Sequence, residues 1–299
     1  MTLLTGGHLT CHPGNIAALV ELLVVADRPL PDFVIEELLQ PREMRNILGT
    51  DPVQNSIKHA IDVAEWCKLV ERKEKGVALI GPVKDLKMAD LLVELPVLAS
   101  QGLFDRKWTG KIEVDRAAGG DLALVLSWFL AQNPFTGGLT NDALSVAYFD
   151  QVNTKEELVN STKLGQVRRW ARWFGLGRYD VANKKLFVPD PTVAVGRCVA
   201  NLPKKYYTGT EFINDLSKLC SVLDNGKVRK SLFGSLKTEE LPWETDSKKV
   251  SPSLNLAMWR LKKGGKIDYG LKADAKQSHR CEMSTIESST EIFSYVEIQ

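Results

Sequence analysis

The chain has 299 residues, 44% hydrophobic and 25% charged, with a formal net charge of +2. That is the make-up of a globular protein with room for two or three domains of about 100 residues, and it announces no strong polyanion binder. No apolar run approaches the ~20 residues that span a bilayer, the longest being Leu122 to Leu130, broken by Ser127.

In chain order, NIAALVELLVVA (15–26) and PDFVIEELL (31–39) read as helices. A third helix is marked by Ile57, Ala60, Ile61 and Ala64 at i, i+3, i+4, i+7. CKLVERKEKGVALIGP then gives apolar Leu69-Val70, a charged turn ending at Gly76, and apolar Val77 to Ile80, the pattern of a β-hairpin. Residues 13–82 thus have the helix, helix, helix, hairpin order of a winged helix-turn-helix. Over 83–119 the spacing of Leu86, Ala89, Leu92 and Val93 predicts a bridging helix, and DRKWTGKIEVDR a turn or short hairpin.

Residues 120–200 repeat the pattern. GDLALVLSWFLAQ (120–132) and TKEELV (154–159), with Thr154 and Glu157 as a capping box, precede a helix carrying Val167, Trp170, Ala171 and Phe174 on one face. Leu176, Tyr179 and Val181, a turn at Asn183-Lys184, and Leu186 to Val188 stopped by Pro189 form its hairpin. Residues 201–299 hold a more degraded third unit. GTEFINDLSKLCSVL (209–223) and GKVRKSLFG precede the helix of Leu254, Ala257, Met258 and Leu261. A strand at Ile267 to Tyr269 finds its partner in EIFSYVEI (291–298), and LKTEELPWETDSKKVSP (236–252) is an exposed loop. The expected fold is mainly α (α+β), with two or three tandem winged helix-turn-helix units.

Charge separates these units. Residues 1–120 carry 14 Lys+Arg against 17 Asp+Glu, whereas 121–280 stand at +9 and the tail 281–299 holds four glutamates and no base. A helix-turn-helix reader lays its third helix in the major groove of double-stranded DNA, with basic side chains on phosphates. Counting about 100° per residue from Arg168, Arg172 falls near 40° and Arg169 near 100°, with the apolar face centred near 240°. All three are therefore expected on the outward face, with Lys163 near the helix start and Arg178, Lys184 and Lys185 on the hairpin. These seven residues are the candidate nucleic-acid-binding set. The same run also reads as a solvated amphipathic face, with Trp170 in the core and Trp173 at its edge. The first unit, acidic through Asp32, Glu36 and Glu37, is expected to meet protein; Arg260, Lys262, Lys263, Lys266, KVRK (227–230), Lys204 and Lys205 extend a basic surface in the third.

Signals for catalysis are thin. No phosphate-binding G-x-x-x-x-G-K-[ST] loop and no G-x-S-x-G elbow occurs, so no cofactor is expected. Glu71-Arg72-Lys73 with Asp62 is the one nuclease-like arrangement, which requires carboxylates converging on a divalent ion. His8, Cys11 and His12 with His279 and Cys281 are the sharpest metal alternative, but their spacing is looser than structural zinc sites use, and no metal is expected. Five scattered cysteines without a C-x-x-C pair, and an MTLLTGGHLTCHPGN start lacking signal-peptide character, set a reducing cytoplasm as the expected compartment.

The HPGNIAALVELL opening, the VRRWARWFGLG…KLFVPDP unit and the FSYVEIQ ending resemble, in length and order of parts, DpdG-type proteins of bacterial 7-deazaguanine DNA modification and restriction islands. The resemblance implies a defence component working beside helicases, nucleases or DNA-modifying enzymes, and supplies no catalytic residues. The expected role is a non-catalytic DNA-binding adaptor. The alternatives are a scaffold subunit without DNA contact and a metal-dependent nuclease.

Overall fold

The computed structural model describes residues 2–4, 11–41, 56–136, 138–152, 158–233, 248–273, 277–282 and 290–299. It divides into two compact units, residues 1–106 with 116–122, and residues 107–115 with 123–299.

In the first unit, helices α1 (Pro13–Ala26), α2 (Asp32–Leu39) and α3 (Ser56–Trp66) lead into strands β1 (Val70–Lys73) and β2 (Gly76–Leu79), paired antiparallel from Val70↔Leu79 to Lys73↔Gly76. The apolar stripe of α3 is buried at Ile57, Ala60, Ile61 and Ala64, with Ile16, Leu19, Val20 and Leu23 of α1 also in the core. Between α1 and α2, Leu30 exchanges two backbone hydrogen bonds with Val77 (3.1 and 2.8 Å). An extended residue therefore lies along β2 on the side away from β1. Gly76 makes this possible. Its φ is +116°, and a Cβ there would sit 2.3 Å from the Leu30 carbonyl oxygen, so only glycine suits both the turn and the close pass.

A 3-10 turn (Gly81–Asp85) precedes α4 (Met88–Phe104). The bridging helix exists, but the residues whose spacing marks it are not its buried face. Leu91, Leu95, Ala99 and Leu103 are buried, Leu92 and Val93 face outward, and Leu86 precedes the helix. Apolar residues on several sides of α4 blur the period, so packing rather than pattern selects the face. Of the two expectations for DRKWTGKIEVDR, a turn and not a hairpin is found: it contains one helical turn, α5 (Ile112–Asp115). The Asp115 carboxylate organises it by accepting from the Thr109 and Gly110 amides (2.9–3.0 Å) and from the Thr109 and Ser231 hydroxyls.

The chain continues through α6 (Gly120–Leu130), α7 (Asn141–Gln151), α8 (Ser161–Phe174), β3 (Gly177–Tyr179) and β4 (Phe187–Pro189). Leu139, just before α7, bonds Phe187 in both directions at 3.1 Å, the relation that Leu30 has to Val77. Among the described residues, α7 is the helix that precedes α8. Thr140 caps it by accepting from the Ala143 amide at 3.2 Å, and Leu144 and Tyr148 bury its inner side. Thr154 and Glu157 lie outside the described residues; Leu158 and Val159 are buried and non-helical.

The remainder runs α9 (Thr192–Ala200), β5 (Tyr206–Thr208), α10 (Gly209–Leu219), α11 (Lys227–Phe233), α12 (Pro252–Lys263), β6 (Ile267–Gly270), β7 (His279–Glu282), β8 (Thr290–Phe293) and β9 (Tyr295–Ile298). Helix α9, which the sequence pattern did not single out, packs on α12 and α10. Thr208 and Glu211 form a capping box on α10. Strand β9 pairs with β6, as the sequence leads one to expect, and also with β5, giving the order β5-β9-β6. The β7–β8 hairpin is inserted between β6 and β9. Most of the 236–252 loop lies outside the described residues. Among the described residues, no helix is long and apolar enough to cross a membrane.

Candidate nucleic-acid interface

Helix α8 starts at Asn160, whose side chain accepts from the Lys163 amide at 3.0 Å, and ends at Gly175 in the left-handed region (φ +77°). These are the cap chemistries that fix a helix at both ends. Leu164, Gln166, Val167, Arg168, Trp170, Ala171 and Phe174 are buried. Counted at about 100° per residue, these cover an arc of roughly 200°, wider than the apolar positions alone imply. Trp170 is fully buried and Trp173 sits at the rim, their rings edge-on at 5.5 Å.

The candidate set separates into three groups. Arg169 and Arg172 are exposed on α8, and Lys184 and Lys185 are exposed in the turn between β3 and β4. Lys163, half-buried, lies on the first turn toward the inner side.

Arg168 is a correction. It is 7% exposed, and its guanidinium donates to the Leu139 carbonyl at 2.8 Å and the Lys185 carbonyl at 3.2 Å. The guanidinium carbon also lies 5.6 Å from the centre of the Phe187 ring, and burial lowers its pKa from the ordinary value. The cause is tertiary: Leu139 and the hairpin cover the edge of α8 that a bare helix would leave open.

Arg178, on β3 and partly exposed, already has an acidic partner. Its Nε donates to Asp190 at 2.7 Å, and Asp190, itself buried, also pairs with Arg260. The other Asp190 oxygen accepts from the Thr192 amide (3.2 Å) and hydroxyl (2.5 Å) at the start of α9. Arg178 and Arg260, each about a third exposed, therefore share one buried carboxylate that neutralises part of their charge.

The basic surface expected around α12 shrinks in the same way. Lys262 is held by the Tyr269 carbonyl (2.7 Å) and Asp268 (3.0 Å), and Lys204 by Glu211 (3.1 Å). In KVRK, Arg229 is buried against Asp224 and the Ser127 carbonyl. Lys263, Lys266 and Lys205 stay exposed.

In the nuclease-like arrangement, Asp62 binds Arg72 at 2.7 Å and Glu71 binds Lys73 at 2.5 Å. Arg72 also pairs with Asp32 and Glu65, and this raises its pKa despite partial burial. These carboxylates neutralise neighbouring cations. Among the described residues no group of three or more His, Cys, Asp or Glu is placed to hold a metal ion. His8 and the Cys281 side chain lie outside what is described. Cys11 and Cys67 are buried thiols whose pKa is raised by desolvation, that of Cys11 to about 12. That is the environment of inert cysteines.

The sequence reading also missed the outward side of α7, where Val146 and Phe149 are exposed beside Asp142 and Asp150. T-N-D before a Leu144/Tyr148 pair at i, i+4 is the local signal that would have found this helix.

Elements and charge together define a mainly helical protein with small antiparallel sheets, in which α8 exposes Arg169 and Arg172 and the β3–β4 turn exposes Lys184 and Lys185. A family model described as DpdG-like matches residues 1–275, and the chain belongs to that family. Membership suggests a role in the 7-deazaguanine DNA modification system. No curated protein and no solved structure matches the chain significantly.

Proposed function

We propose that the protein is a non-catalytic, cytoplasmic DNA-binding adaptor of a DNA modification and restriction system, built from winged-helix modules. The modules are α1–β2, α6–β4, and α9–β9. Supporting the fold reading, each has a helix, an extended residue or strand, further helices and a closing antiparallel strand pair (β6 with β9 in the third), and in each the early extended segment pairs with the last strand (Leu30 with β2, Leu139 with β4, β5 with β9). On this reading the third module begins at α9.

The observation that carries the DNA contact is the exposure of Arg169 and Arg172 on one arc of α8, next to Lys184 and Lys185. Arginine binds phosphate or bridges guanine O6 and N7, so such a stripe positions and reads duplex DNA. The test is a gel shift of duplex DNA at low salt. Arg169→Glu with Arg172→Glu abolishes retention and leaves the circular dichroism unchanged. Replacing both with alanine reduces the magnitude of the log–log salt slope by about 2, if each contacts one phosphate. Unaltered binding refutes the assignment.

A second reading, a scaffold subunit without DNA contact, is favoured by the outward apolar residues of α2 and α7. Phe33 is 72% and Phe149 50% exposed, each on a helix that also exposes carboxylates. In that case the purified chain ignores DNA at every salt concentration, and Phe33→Ser with Phe149→Ser disrupts co-purification with a partner such as a helicase or nuclease.

A further inference from the structure

The β5-β9-β6 sheet buries Tyr207, Val296, Ile267 and Tyr269 on one face. Strand alternation puts Tyr206, Tyr295, Asp268 and Glu297 on the other. There Tyr206 and Tyr295 stack, with ring centres 5.7 Å apart and planes only 12° from parallel, and Tyr206 is 43% exposed. The Tyr295 ring lies over Gly270 of the adjacent strand, where a Cβ would come within 3.1–3.4 Å of it. Missing side-chain bulk at Gly270 is what lets the ring lie flat. Lys272, exposed, holds its ammonium 4.6 Å from the centre of the Tyr206 ring and 5.9 Å from that of Tyr295.

Two near-parallel aromatic rings on the solvent face of a small sheet, flanked by lysines, are the physical elements of a base-stacking platform. We propose that this face binds unpaired nucleotides of single-stranded DNA. A base stacks on Tyr206, and Lys272 and Lys266 take the neighbouring phosphates. A nucleobase suits the site better than an apolar peptide side chain, because the rings offer flat faces and the exposed rim is cationic.

The carboxylates on this face fit that orientation. Asp268 is neutralised by Lys262 at 3.0 Å, and Glu211 at the sheet margin by Lys204 at 3.1 Å. Glu297, cross-strand from both Tyr206 and Asp268, repels phosphate and accepts hydrogen bonds, so bases and not the sugar-phosphate chain pass over it. As a base arrives, the Lys272 ammonium moves from the ring to the phosphate of the same strand. The site is separate from the α8 face and does not depend on duplex binding there.

Fluorescence anisotropy of a labelled 15-nucleotide dT strand tests the proposal, using the full chain carrying Arg169→Glu and Arg172→Glu so that the helix face is silenced. Binding is expected below about 100 μM at ~50 mM salt. Tyr206→Ala weakens it by about 5- to 150-fold, since one stacked base supplies that much. Tyr206→Leu behaves like alanine, Tyr206→Phe retains affinity, and Lys272→Ala lowers the salt dependence. Circular dichroism verifies the fold of each variant. No binding in that range overturns the platform, as does equal binding by the leucine and phenylalanine variants. Neither outcome bears on duplex retention by Arg169 and Arg172.

Discussion

Arg168 separates the folding role of α8 from any recognition role. Arg168→Met keeps the aliphatic stem and removes the guanidinium, deleting hydrogen bonds to the Leu139 and Lys185 carbonyls and the contact with the Phe187 ring. A hydrogen bond to a charged group contributes about 1.5–3 kcal/mol, and a cation–π contact about 0.5–1 kcal/mol. Lys185 is exposed, so its carbonyl regains water and part of the loss is recovered. A net cost of about 2–4 kcal/mol remains. At roughly 2–4 °C per kcal/mol for a unit of this size, melting falls by about 4–16 °C. The exposed Arg169→Ala and Arg172→Ala changes stay within about 0.5 kcal/mol, or roughly 2 °C. Differential scanning calorimetry of the three variants decides the matter. Should Arg168→Met melt within a degree of the parent while losing duplex affinity as much as Arg172→Ala, the guanidinium faces outward and the reasoning fails.

Two further expectations follow from the ion pairs. Asp190→Ala strips the shared partner from Arg178 and Arg260 and the acceptor from the Thr192 amide; because both arginines reach water, the loss is below that of a fully buried pair, about 2–3 kcal/mol by urea unfolding. Arg178→Ala leaves duplex affinity within about twofold, because that guanidinium is already engaged, whereas an Arg172-sized loss would put Arg178 back on the interface. At acid pH, the Thr208 amide and the Lys204 ammonium hold the Glu211 carboxyl down to about 2 from an ordinary 4.5. Its folded pKa is depressed, so its stabilisation is complete above about 4.5 and is lost as pH falls toward 2. Amide protection at the start of α10, corrected for intrinsic exchange, should fall across that window in the parent chain, and Glu211→Gln should remove that change.

Short-range physics carried much of the fold into the sequence. The stripes of α1, α3, α8 and α12 follow the 3.6-residue period because the cores they enter are apolar, and the hairpin turns follow from Gly76 and Asn183-Lys184. Trp170 inside and Trp173 at the rim were likewise legible. Where apolar residues ran on several sides, as in α4, the period could not say which face another helix would cover. Helix α7 was hidden because its outer positions Val146 and Phe149 are apolar, which masks the amphipathic contrast.

The candidate interface divides along the same line. That the basic charge clusters between 121 and 280, and that Arg169 and Arg172 share a helix side, is determined by residue order and helix geometry alone. Arg168 was removed from that surface by a group distant in sequence, the Leu139 carbonyl, and Arg178 was engaged by the Asp190 carboxylate just past the paired strand. The stacking of Tyr206 on Tyr295, 89 positions apart, arose from strand register. A local pattern reports which side chains share a face, because the backbone period sets that. Only tertiary structure decides what covers the face, because the covering groups come from elsewhere in the chain.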